Sequence, residues 1–206
     1  MNTRIKKIKY VIVIIFLTIT TLSQRVSAQK AVTYSSDWGE KLPSFPNHLI
    51  LKSNVVFVHE DMTMTCDSAV FNTEENLINA YNNIHIYQDT LHLYGDEFIY
   101  DADTKIAEIF GDTVTLYDNN TTLQTDYMVM DREAQTVRYT THAYIWDEEN
   151  TLESELGTYL IDTKIFEFTK QVKLNSPQVN ILSDSLFYES KTDIARFYNK
   201  TDITTK

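Results

Sequence analysis

An acidic residue recurs along this chain at Asp67, Asp96, Asp126, Glu155 and Asp184, with spacings of 29, 30, 29 and 29 residues. Four positions after each acid stands a large side chain: Phe71, Tyr100, Met130, Tyr159 and Tyr188. Thirteen or fourteen positions after it comes a second apolar or aromatic residue: Ala80, Phe110, Tyr139, Phe168 and Phe197. A period of this length marks a repeat architecture. One such unit is too small to bury its own apolar face, so only stacked neighbours make a core.

The unit is written in strand grammar. From Leu49 onward apolar residues alternate with polar ones, and Val, Ile, Thr, Tyr and Phe dominate. No segment carries an apolar stripe of helical period. The alternation changes phase once per repeat, at the acid: Leu91 and Leu93 give way to Phe98 and Tyr100, and Met62 and Met64 to Ala69 and Phe71. An inward face that changes parity needs an extra residue, which bends or bulges the strand. Each long strand is therefore expected to turn a corner and lie in two facing sheets. Polar turn clusters occur twice per repeat, for example at 101–105 and 118–121. The chain goes up and back within one unit, which predicts an all-β fold of folded antiparallel repeat strands. About ten strands at roughly 4.7 Å spacing make a barrel or trough about 47 Å long, with open ends.

Residues 1–28 read as a signal peptide: Arg4, Lys6, Lys7 and Lys9, then an apolar run from Tyr10 to Leu22, then Val26-Ser27-Ala28. The run is shorter than the roughly 20 residues that span a bilayer, so cleavage after Ala28 is expected. No cysteine stands directly after the apolar run, so a lipoprotein is not expected. The remaining chain has 13 basic against 29 acidic residues, a net charge of −16, which disfavours nucleic acid. Residues 29–47, with Pro43 and Pro46 and no alternation, are expected to be a flexible arm. Residues 48–206 are the five-repeat domain. Its terminal strands, near 54–58 and 198–203, are expected to be open edges that favour strand addition.

Catalytic chemistry finds little support. His48, His59, His85, His92 and His142 lack metal-ligand spacing, and Cys66 is the only cysteine. There is no nucleophile elbow, and four glycines do not make a phosphate cradle. The recurring acids offer one carboxylate per layer, short of the six or more oxygens calcium takes, so they are expected to cap the corner through nearby amides. No enzyme activity, cofactor or metal is expected.

The recurring phrase Leu93-Tyr94-Gly95-Asp96-Glu97-Phe98-Ile99-Tyr100, with Phe110-Gly111-Asp112-Thr113-Val114-Thr115-Leu116 after the turn, resembles the OstA family. These are the LptA-type β-jellyrolls of lipopolysaccharide transport. Leu123-Gln124-Thr125-Asp126-Tyr127-Met128-Val129-Met130 and Ser183-Asp184-Ser185-Leu186-Phe187-Tyr188 support the likeness, while Glu155-Leu156-Gly157 departs from it. The similarity covers about residues 50–203.

The resemblance implies a periplasmic bridge that passes lipopolysaccharide between inner and outer membrane, and the open edge strands lead us to expect head-to-tail docking onto itself or other jellyroll components. The inward, acyl-chain-facing set would be Val55, Phe57, Met64, Phe71, Ile84, Ile86, Leu93, Phe98, Tyr100, Val114, Leu116, Leu123, Met128, Met130, Ile145, Leu152, Tyr159, Val172, Leu174, Ile181, Leu186 and Tyr188. Each buried methylene is worth about 0.8 kcal/mol, and methionines and aromatics suit an adaptable apolar surface. The same residues would serve equally to fill a dry core. Two rivals remain: a ligand-free structural or adhesive repeat that polymerises through its edges, and a jellyroll anchored by a retained Tyr10–Leu22.

Overall fold

A computed structural model describes residues 31–192 and 194–206, so the signal-peptide segment lies outside the described residues. Among these there is no helix. The chain forms β1 (Thr33–Ser35), β2 (Trp38–Leu42), β3 (Phe45–His59), β4 (Met62–Asn72), β5 (Leu77–Gln88), β6 (Leu91–Asp101), β7 (Ile106–Asp118) and β8 (Thr121–Asp131). It continues with β9 (Thr136–Tyr139), β10 (Ala143–Trp146), β11 (Thr151–Ser154), β12 (Leu156–Leu160), β13 (Ile165–Asn175), β14 (Val179–Glu189) and β15 (Ile194–Thr205). All are antiparallel members of one hydrogen-bonded sheet. From β3 to β8, each pairs with the strand before it and the strand after it.

The register slips once along each long pair, as between Thr65 and Ser68 of β4 or Tyr94 and Glu97 of β6. These slips fall on the recurring acids and bend every strand. The backbone takes left-handed residues in pairs at several of them: Ser53 and Asn54, Asn82 and Asn83, Lys170 and Gln171. Asparagine tolerates this region better than most residues, which suits a chain with only four glycines.

The bend folds the sheet into two layers. Residues 55–59, 62–66, 84–88, 91–95 and 114–118 lie in the first layer with their equivalents. Residues 68–72, 77–81, 97–101, 106–110 and 127–131 lie in the second with theirs. One apolar cluster between the layers runs from Leu49 to Leu186. Two of the five acids, Asp96 and Asp184, cap the corner through backbone amides as expected, Asp67 does so through a side-chain amide, and Asp126 and Glu155 meet Thr141 and His142 instead. Asp67 Oδ2 accepts from Asn83 Nδ2 at 2.7 Å, Asp96 Oδ2 from the Asp112 amide at 3.2 Å, and Asp184 Oδ2 from the Lys200 amide at 3.3 Å.

Two expectations are corrected. The stretch expected to be a flexible arm is strand: β1 pairs with Val56–Val58, and β2 runs along Leu49–Lys52 of β3. Asp37 accepts from Asn54 Nδ2 at 2.7 Å, in the way Asp67 accepts from Asn83, and so is a sixth corner acid. The strand near 54–58 is consequently not an open edge; β1 covers it, and Tyr34 packs on Phe57 and Phe71. At the recurring apolar position of this repeat, Phe110 points outward and packs on Tyr127 at 4.9 Å, while Ile109 takes the inward place beside Phe98. Three residues, Gly111 to Thr113, are skipped at that bulge against one, Asp126, on the partner strand, which moves the inward position by one.

Candidate functional site

The two layers meet along the edge opposite the corner, where the turns of one approach the turns of the other. Two polar clasps close this edge. In the first, His59 Nδ1 lies 2.7 Å from the Tyr100 hydroxyl, which accepts from Arg132 at 3.1 Å. The Arg132 side chain, 2% exposed, also donates to Asp61 at 2.5 Å and sits 3.5 Å from Glu60, which pairs with Lys105 at 3.1 Å. That lysine hydrogen bond, the largest influence, holds the Glu60 carboxyl below its usual range.

The second clasp is centred on buried Asp118. Its carboxylate accepts from Tyr159, from Lys164 at 2.7 Å and from Thr90 at 2.6 Å. Burial acts to raise the Asp118 carboxyl, and these hydrogen bonds outweigh it, leaving it below the ordinary carboxylate range. Tyr159 is pushed up by burial and by the carboxylate it donates to.

One repeat further on, the pattern sets Asp147 opposite Tyr188, but Asp147 is engaged within its own turn. It accepts from the amides of Glu149 and Asn150 at 2.8 Å and 2.7 Å, and from the Asn150 side chain. Here the layers part around two adjoining cavities. One, of about 640 Å³, is lined chiefly by apolar side chains: Ile145, Leu152, Phe166, Phe168, Leu174, Ile181, Leu186, Tyr188 and Phe197. The other, of about 760 Å³, is polar and bounded by Asp118, Asp147, Glu148, Glu149, Lys164 and Lys191, with Tyr159 in its wall. Phe166, Tyr188, Thr121, Asp147, Glu149 and Asn150 border both. An apolar slot beside a charged mouth is the geometry that takes a molecule with a hydrocarbon part and a polar head.

The predicted inward set divides here. Ile145, Leu152, Leu174, Ile181, Leu186 and Tyr188 line the apolar cavity, and Tyr159 lines the polar one. Val55, Phe57, Met64, Phe71, Ile84, Ile86, Leu93, Phe98, Tyr100, Val114, Leu116, Leu123, Met128, Met130 and Val172 are buried in the closed part of the core. Sequence reasoning left out Trp146, Phe166, Phe168 and Phe197 as cavity residues. Phe166 and Phe168 sit on a returning strand with the same alternation, and that was the available signal. Among the described residues no group of three or more His, Cys, Asp or Glu is placed to hold a metal.

The family model described as OstA-like protein matches residues 36–184. This chain belongs to the OstA-like family. The match begins one residue before Asp37 and ends at Asp184, so the OstA-like region includes all six corner acids. No curated protein matches the chain. Among solved structures it is similar to LptH, the LptA-homologous periplasmic component of the lipopolysaccharide transport device from Pseudomonas aeruginosa. That likeness has 8% identity and a TM-score of 0.26, and covers 86% of this chain and 96% of the other.

Proposed function

We propose that this OstA-like jellyroll is a non-enzymatic periplasmic lipid carrier of lipopolysaccharide transport. It holds acyl chains between its layers at the 145–197 end and serves as a bridge between inner and outer membrane. The observation that carries this reading is the apolar cavity of about 640 Å³ opening beside a charged mouth. Membership of the OstA-like family supports the transport role. The residues proposed to touch acyl chains are Ile145, Leu152, Phe168, Leu174, Ile181 and Leu186. Export by a signal peptide cleaved after Ala28 belongs to the same proposal, as does docking to another jellyroll through the edge of β15, which pairs only with β14 among the described residues.

The test is mass spectrometry of lipids that co-purify with the mature protein from cells with an intact envelope. Acylated lipid is expected with wild type and is expected to be lost from Leu186→Asp, because an unpaired charge in an apolar slot is desolvated at a cost of several kcal/mol. Circular dichroism accompanies the variant. Wild type free of acylated lipid, or a folded Leu186→Asp that retains it at the wild-type level, overturns the reading.

A further inference from the structure

The polar cavity ends where the closed core begins, and Tyr159, in its wall, stands at that boundary beside Phe166, which borders both cavities. In the second layer the inward row nearest the turns runs Tyr100, Ala107, Met130, Val137, Tyr159, Phe166 and Tyr188, each the register partner of the next. Phe166 and Tyr188 border the cavities. Val137 and Met130, on the other side of Tyr159, are buried in the core.

Tyr159 is held from three directions. Its ring stacks on Phe166 with centroids 4.2 Å apart and planes 13° from parallel. The Lys164 ammonium lies 5.6 Å from the ring centroid. Its hydroxyl is donated to Asp118 of the opposite layer, which is fixed in turn by Lys164 and Thr90. The ring therefore bridges both layers as a rigid partition. Behind it, Met128 and Met130 are buried, and they are the core side chains best able to re-pack around a guest.

We infer that Tyr159 is the stop that sets how long an apolar chain the cavity accepts. The inference rests on the lipid-binding reading above. It assigns Tyr159 a role in specificity, separate from the residues that line the apolar slot, and it predicts that chains longer than the slot gain nothing from their extra methylenes. Removing the ring joins the cavity to the space beside Val137 and Met130 and lets a longer chain enter.

The experiment is calorimetric titration of the mature protein with n-alkyl maltosides of increasing chain length, below their micelle concentrations. The uncharged head avoids repulsion by the acidic protein. For wild type, affinity is expected to rise about fourfold per added methylene and then to level off at a limiting length. In Tyr159→Ala the rise is expected to continue to longer chains than in wild type. Tyr159→Leu keeps an apolar side chain in the row should the alanine variant fail to fold, and it moves the limit in the same direction. A folded variant with the wild-type limit overturns the stop and leaves lipid binding standing. Wild type that binds no maltoside of any length overturns the lipid-binding reading, and the stop with it.

Discussion

His59 and Tyr100 meet across the two layers, and Asp118 and Tyr159 repeat that meeting at the same separation of 41 residues. The coincidence follows from the repeat. In both cases the residue eight positions before one corner acid faces the tyrosine four positions after the next. The layers are thus pinned at alternate repeats by polar pairs, and they part where Asp147, the next residue of that series, turns its carboxylate to its own loop.

The first clasp has an asymmetric energy. Arg132 is buried while its partner Asp61 is 66% exposed. Deleting Asp61 leaves the buried cation with Glu60, at 3.5 Å, as its remaining carboxylate partner, whereas deleting Arg132 leaves a carboxylate that water can reach. Asp61→Ala is therefore expected to cost about 2–3 kcal/mol and Arg132→Met about 1 kcal/mol. Urea unfolding of the two variants measures this, and the reverse order would refute the account of the clasp.

The second clasp makes stability acid-sensitive. Asp118 has a folded-state carboxyl below its usual value of 3.8. Its contribution is then fully present above that value and is lost as pH falls through the lower folded one. Unfolding midpoints measured from pH 6 downward are expected to drop less steeply in Asp118→Asn than in wild type once the pH is below about 4. Parallel profiles would show that Asp118 is not a titrating support.

Gly157 is where the repeat departs from its pattern, and Tyr139 is the reason. A Cβ on Gly157 would come within 2.3–2.5 Å of the Tyr139 ring and hydroxyl. At Gly39 the nearest atom is Leu51 Cδ2 at 3.4 Å. Gly157→Ala should lose about 1–3 kcal/mol to overpacking, and Gly39→Ala much less. Thermal unfolding of both variants decides whether Tyr139 needs that space.

Cys66 is an internal reporter. It is 5% exposed, and burial first of all pushes its thiol up to about 11. In the native protein at pH 8 it should resist an aromatic disulfide reagent and react at the rate of opening of the layers. Immediate stoichiometric reaction without denaturant would contradict the closed core around β4.

Much of this architecture can be read from the residues. Phase changes such as Leu93 to Phe98 locate the bulges, and the turn clusters locate the reversals. What escaped had weak signals. Asp37 stands 30 residues before Asp67, yet the strands around it offer only Tyr34, Trp38 and Leu42 as large apolar or aromatic residues, and prolines follow. Ile109 and Phe110 both fitted the inward position, and only the longer bulge at Gly111–Thr113 chooses between them. The cavity lay further out of reach. Met130 and Leu186 obey the same alternation, which says that each faces inward. It does not say whether the opposite layer is near enough to touch, and that depends on clasps between residues 41 apart.

The neighbour-to-neighbour pairing of β3 to β8 has a genealogical consequence. Each repeat contributes two strands and advances the stack by about 9.5 Å, twice the strand spacing. A duplication or loss of one whole 29-residue unit rejoins like edges, keeps every inward row inward and changes only the molecule's length. An insertion or loss of an odd number of residues within a strand turns one stretch of the row outward and exposes it. Length in this lineage can therefore drift in steps of one repeat, while its cross-section is held constant by the parity of the strand.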